Sequence, residues 1–387
     1  MQALLAPLAE LADYQEIIKD RKKENGIIQI AGCVGSQKTH LMYALGDGFE
    51  YRVIAFSSEE KAKKAYEEYR VFTEDVYLYP ARDLLFYHAD IKGKLLTDQR
   101  MGVLRALIEK EEGKDVTVIT TMDAFLDGLA RPEKLKEQRI SLTGGDVIDL
   151  TELEKSLTDM GYERESQIEG PGQFAVRGGI MDVFPLTEEL PVRIELWGDE
   201  IDSLRSFDVE SQRSVENLET VTIYPASENW EDEMETVSFL EYFPGEKSIL
   251  LLDEPQRLQE TAESVEEEYF RSREKRQESD PEDGDDQSLT VYQTKDIINF
   301  MNLYTGIAMT TLESKCGLFR VRKTYSIQTK GVNPYNNSFE LLTRDLKRLK
   351  RSGYRVVLLS GSRTRAKRLA EDLRDYDLSS FYSEDMD

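Results

Sequence analysis

The octapeptide GCVGSQKT, residues 32–39, carries the outline of a phosphate-binding loop. Such loops read Gly, four residues, Gly, Lys, then Ser or Thr; their backbone N–H groups and the following helix dipole cradle phosphate, while the hydroxyl ligates Mg²⁺. Gly32, Lys38 and Thr39 fit that spacing, and Gly35 adds flexibility inside the loop. Gln37 stands where the second Gly belongs, so a side chain occupies the path on which phosphate would approach bare backbone. A second half-site is SILLLDE, residues 248–254, where an apolar run delivers Asp253 and Glu254 as an acidic pair suited to Mg²⁺ and an attacking water. The same residues read equally as a buried strand ending in exposed acids. The nearest basic run is RTRAKR at 363–368, which reads as a helix surface without the spacing of a completing arginine. No catalytic residue is assigned, and GCVGSQKT is expected to be a degenerate nucleotide site.

A third group of special residues lies between 170 and 214, where Gly, Pro and Asp breaks separate short alternating runs. In PVRIELWGDEID, Val192, Ile194 and Leu196 fall on one face of a strand and Arg193, Glu195 and Trp197 on the other. If the first face is core, Trp197 and Arg193 are exposed together, and these are residue types enriched at binding hot spots. Arg177 leads into the Gly178–Gly179 turn close by in sequence. The competing reading has Trp197 covering a sheet edge and Arg193 paired with Glu195 or Asp199.

These groups need different scaffolds. Apolar runs at 27–31, 52–56, 75–79 and 116–120 alternate with helical patterns at 59–72 and 97–112, the second capped by Thr97, which predicts parallel βαβ units. From about 131 to 228 the texture turns to an inserted α+β, β-rich domain with one helix at 150–160. The α/β pattern resumes at 229–350, carrying a charged segment at 258–290 whose SDPEDGDDQS reads as a loop. A helix is predicted at 337–349, a strand at 354–359 and a helix at 363–376; residues 351–387 are expected to be a linker and the start of a following domain.

Composition narrows the function classes. With Lys+Arg 50 against Asp+Glu 75, the net charge of −25 opposes a general nucleic-acid surface and favours protein partners. Two cysteines, Cys33 and Cys316, and two histidines, His40 and His88, give no disulfide framework, zinc site or other metal site. No apolar run approaches the ~20 residues of a membrane span, and the N-terminus lacks a signal-peptide pattern, so a cytoplasmic monomer is expected.

The stretch GQFAVRGGIMDVFPLTEELPVRIELWGDEIDSLRSFDVESQRS, with the loop at 32–39, LYPARDLLFYHADIKGKLLTDQR and LLLDEPQRL, resembles the bacterial transcription-repair coupling factor family in its UvrB-like module. The resemblance covers essentially the whole chain. It implies a scaffold of degenerate P-loop fold, without cofactor of its own, whose insert binds UvrA through Arg177, Arg193 and an aromatic at Trp197, where the family commonly has Phe. It implies too that later domains carry an ATP- and Mg-dependent DNA translocase and the contacts with RNA polymerase and DNA, and that this module packs on the motor to restrain it. UvrB itself clamps damaged DNA with a Tyr-rich hairpin; LLFYHADIKGK, the corresponding stretch, is short and has only Tyr87. Retention of Lys38, Thr39, Asp253 and Glu254 keeps open the alternative of a UvrB-like, ATP-dependent DNA-damage-binding protein with a live P-loop.

Overall fold

The structure, a computed structural model, describes residues 5–82, 90–226, 236–279, 290–332, 334–360 and 362–384. The first four strands are β1 (Gly26–Ala31), β2 (Tyr51–Phe56), β3 (Val76–Tyr79) and β4 (Val116–Thr121). The chain then builds a separate sheet, in which β5 (Gln173–Arg177), β6 (Ile180–Phe184), β7 (Val192–Trp197) and β8 (Glu200–Phe207) are consecutive antiparallel neighbours. It returns through β9 (Ser248–Asp253), β10 (Thr305–Thr310) and β11 (Val321–Ser326).

The large sheet has the order β11-β1-β10-β9-β2-β4-β3, and every pairing is parallel. Its central strands are buried along their length, as strands covered by helices on both faces must be. Two hydrophobic clusters lie on its opposite faces: Ile27, Val53 and Leu250 point into one, and Ile28, Ile54 and Leu251 into the other. Buried Gln29 satisfies its amide by donating to Thr310 Oγ1 at 3.2 Å and the Ser314 carbonyl at 2.9 Å. The α/β fold with a β-rich insert is the one expected from the sequence.

Four local expectations need correction. The helix expected to start at Thr97 runs Asp90–Glu109, so Thr97 lies inside it. Strands β10 and β11 were not anticipated; β10 contains Gly and Ala, and β11 is an edge strand whose buried residue is Tyr325. Arg193 and Glu195 do not pair with one another; Arg193 binds Asp182 and Glu195 binds Arg205. Finally, 354–359 forms no ladder; Val356, Val357, Leu358 and Leu359 are all exposed, with no strand among the described residues paired to them. Residues 83–89, which include Tyr87 and His88, and most of SDPEDGDDQS lie outside the described residues.

Candidate functional site

The parallel sheet brings the two halves of the P-loop-like site together. GCVGSQKT leaves the C-terminal end of β1 and enters helix α1 (Ser36–Gly46), while Asp253 and Glu254 end β9, with β10 between the two strands. Gly32 has φ +87 and a Cβ there would fall 2.0 Å from the Ile327 carbonyl oxygen, so only Gly fits. Gly35 caps α1 at φ +56, with open space where a Cβ would point.

The polar groups that would receive a nucleotide are already engaged. Lys38 Nζ lies 2.6 Å from Asp253 Oδ1 and 2.6 Å from Glu254 Oε1, with all three side chains at least four-fifths buried. Burial opposes the ammonium charge, but the two carboxylates outweigh it and raise the Lys38 pKa. Thr39 Oγ1 donates to Glu68 Oε2 at 2.7 Å. The Gln37 side-chain oxygen accepts from the Val34 backbone N–H at 3.2 Å, so the substituted residue caps its own loop. Glu254, at φ +51, also accepts from the N–H and Oγ1 of Thr311 at 2.8 and 2.7 Å. The cluster is a closed set of hydrogen bonds joining β1, α1, β9 and the end of β10.

The insert presents a different arrangement. One face of its sheet carries Phe174, Met181, Val183, Val192, Ile194 and Leu204 into a hydrophobic cluster. The opposite face carries a smaller buried cluster of Ile168, Ala175, Phe184 and Phe207 beside charged side chains, and register aligns Asp182 with Arg193 and Arg193 with Arg205 across three strands. Asp182, whose side chain is 1% exposed, is the hub. Its Oδ1 accepts from Arg193 Nε at 2.7 Å and its Oδ2 from Arg193 Nη2 at 2.8 Å, while Arg177 Nη2 donates to Oδ2 at 3.0 Å. Arg193 also donates to Gln212 Oε1 at 3.0 Å and stacks 4.3 Å from the Phe207 ring centroid. Arg177 remains half exposed.

Trp197 lies at the end of the same hairpin. It pairs with Glu200 across a tight turn in which Gly198 has φ +65, and a bulge at Glu195/Leu196 re-aims the strand end. Its side chain covers no edge: the residue is 84% exposed. The tip is held from both sides, because Ile148 N–H donates to the Asp199 carbonyl at 2.8 Å and Leu196 N–H to that of Gly179 at 2.8 Å. Val147, beside Glu200, is exposed as well. The structure thus places Arg177, Arg193 and Trp197 on one module, two of them tied to one carboxylate. Asp182 and Gln212 were missed by sequence reading; the signal for Asp182 was an acid between Met181 and Val183 in an otherwise apolar, buried strand.

Comparison with known proteins places this insert. Residues 140–229 match the UvrB interaction domain. The chain is 24% identical, over 96% of its length, to the transcription-repair-coupling factor of Bacillus subtilis (strain 168), of which it covers 36%. It is 37% identical over 40% of its length to the protein of that name from Staphylococcus aureus (strain bovine RF122 / ET3-1), and 38% over 40% to that of Staphylococcus haemolyticus (strain JCSC1435), covering 13% of each. The chain therefore spans little more than a third of the length of the Bacillus relative. The resemblance to the UvrB-like module of coupling factors is borne out along most of the chain. No helix among the described residues is long and apolar enough to cross a membrane.

Proposed function

We propose that this chain is the non-catalytic, UvrB-like module of a transcription-repair coupling factor, and that it recruits UvrA through the polar face and hairpin tip of the insert. The observation that carries the reading is the exposed Trp197 at the end of the strand that also holds Arg193, with Arg193 and Arg177 fixed by buried Asp182. Anchors of this kind bind tightly because little side-chain freedom is left to lose on association. The match of residues 140–229 to the UvrB interaction domain supports a partner-binding role for the insert.

On this reading the P-loop-like cluster is a structural tie, supported by the pairing of Lys38 with both Asp253 and Glu254. The activity of the longer protein, an ATP- and Mg-driven DNA translocase that acts on stalled RNA polymerase, belongs to other domains. Restraint of that motor by this module rests on the resemblance alone. The test is calorimetric titration of UvrA into the chain. Micromolar or tighter binding that Trp197→Ala weakens at least tenfold supports the proposal, and equal binding by wild type and variant overturns the face assigned.

A further inference from the structure

The acidic balance of the chain hides a local reversal. Between Arg344 and Arg368 there are ten Lys or Arg and one acid, Asp345, a local +9 in a chain of net −25. This run lies on helix α2 (Phe339–Arg351), the unpaired stretch 354–360 and the first half of helix α3 (Arg363–Arg374); the same two helices also carry Glu340, Glu371 and Asp372 outside it. It has its own small core, in which Leu346, Leu373 and Leu378 pack with Phe339, Leu342 and Leu369.

The core fixes where the charge points. On α2 the buried or half-buried residues Leu342, Thr343, Leu346 and Leu349 share one side, so Arg344, Lys347, Arg348 and Arg351, spaced three and four apart, line the opposite side. On α3, Leu369, Ala370 and Leu373 face inward while Arg365 and Arg368 are exposed. Arg348 pairs with Asp345 at 3.3 Å, but Arg344, Lys347, Arg351, Arg365 and Arg368 have no carboxylate partner among the described residues. A run of like charges with few counter-charges raises its own folding cost by self-repulsion, which a polyanion relieves.

We propose that the exposed basic side of α2 is a docking surface for the phosphate backbone of duplex DNA, separate from the insert. Three features favour phosphodiester backbone. Seven of the ten cations are Arg, whose planar fork matches phosphate oxygens in pairs. The α2 stripe spans about 10 Å of helix, enough to meet phosphates spaced along one strand. The stripe itself carries no aromatic side chain, so it offers charge without the stacking platforms typical of single-strand binders. Contact of this type positions a protein on the duplex without reading sequence.

The test is fluorescence anisotropy of a labelled random-sequence 30-base-pair duplex titrated with the 387-residue chain across a range of salt. Binding is expected at ~50 mM salt, falling steeply as salt rises. The triple variant Arg344→Glu, Arg348→Glu, Arg351→Glu is expected to weaken it at least tenfold and to flatten the slope of log K against log salt by about 3. Arg365→Glu with Arg368→Glu on α3 is a comparison variant expected to weaken binding less than the α2 variant does. Both sets lie on exposed positions, so melting temperatures should match wild type. No binding at 50 mM salt, a preference for single strands, or wild-type binding by the α2 variant would overturn the proposal, the first pointing to an acidic protein partner instead.

Discussion

Asp182 accepts both hydrogen bonds of the Arg193 fork, at 2.7 and 2.8 Å, from a position that is itself 1% exposed. A buried carboxylate is costly unless its lone pairs are filled, so the pair is bound to exist as a unit. Its geometric effect is to hold a guanidinium over Phe207, with a further donor directed at Gln212.

That relationship predicts a coupling. Asp182→Asn keeps the volume but removes the charge that holds both arginines, and should weaken UvrA binding roughly tenfold, about 1.4 kcal/mol. Because Asp182 would act through Arg193, adding Arg193→Ala to Asp182→Asn should cost far less than Arg193→Ala does in the wild type. Strictly additive losses in a double-mutant cycle, measured by calorimetry, would show that Asp182 does not position Arg193.

Trp197 gives the complementary variant. At 84% exposure it contributes little to the insert core, so Trp197→Ala should shift unfolding free energy by no more than ~0.5 kcal/mol. The same change should cost UvrA binding about 2 kcal/mol if the ring is a hot spot. Urea unfolding and binding measured on one preparation separate the two effects. A large loss of stability with a small loss of affinity would make Trp197 a structural residue.

Acid stability has a named contributor. Lys110 Nζ at 2.8 Å and Lys247 Nζ at 2.9 Å hold the Glu50 carboxyl down at about 2, against its ordinary 4.5. The folded chain therefore binds fewer protons at this site than the unfolded chain, and the stabilisation is complete above about 4.5 and lost as pH falls toward 2. Glu254 shifts the same way: burial works against it, but Lys38 and Thr311 prevail. Melting temperature should fall across that window, and less steeply in Glu50→Gln. Parallel curves for the two proteins would remove Glu50 from the account.

The sequence was most readable where one physical pattern dominates. In the strand that ends at Trp197 one face is apolar and the other charged, so Val192, Ile194 and Leu196 could be separated from Arg193 and Trp197 by spacing alone, whereas the partial burial of the charged face by Phe184 and Phe207 could not be read that way. The strands β1, β2, β4 and β9 were readable as apolar runs because both of their faces are covered. Edge strand β11, VRKTYS, has the polarity of a loop because most of its side chains meet solvent. The stretch YRVVLL misled in the other direction: its composition is that of a strand, but a strand exists only with a hydrogen-bonding neighbour. Long-range partners were the least readable. Nothing in the spacing of Arg193 shows that Asp182, eleven positions away, sits across from it.

The Lys38 cluster carries the last prediction, and it tests the nature of the P-loop-like site. A phosphate entering GCVGSQKT would have to draw Lys38 from Asp253 and Glu254, both 2.6 Å away, and displace the Gln37 side chain from the Val34 N–H. ATP with Mg²⁺ at millimolar concentration should therefore leave the melting temperature unchanged, since only a ligand that binds the folded state raises it. Lys38→Met should instead destabilise the chain by about 3 kcal/mol, because it leaves two buried carboxylates with Lys61, 3.7 Å from Asp253, as the nearest compensating charge. Adding Asp253→Asn and Glu254→Gln to Lys38→Met should recover part of that loss. A rise in melting temperature with ATP that disappears in Lys38→Met would establish a working nucleotide site and reverse the structural reading.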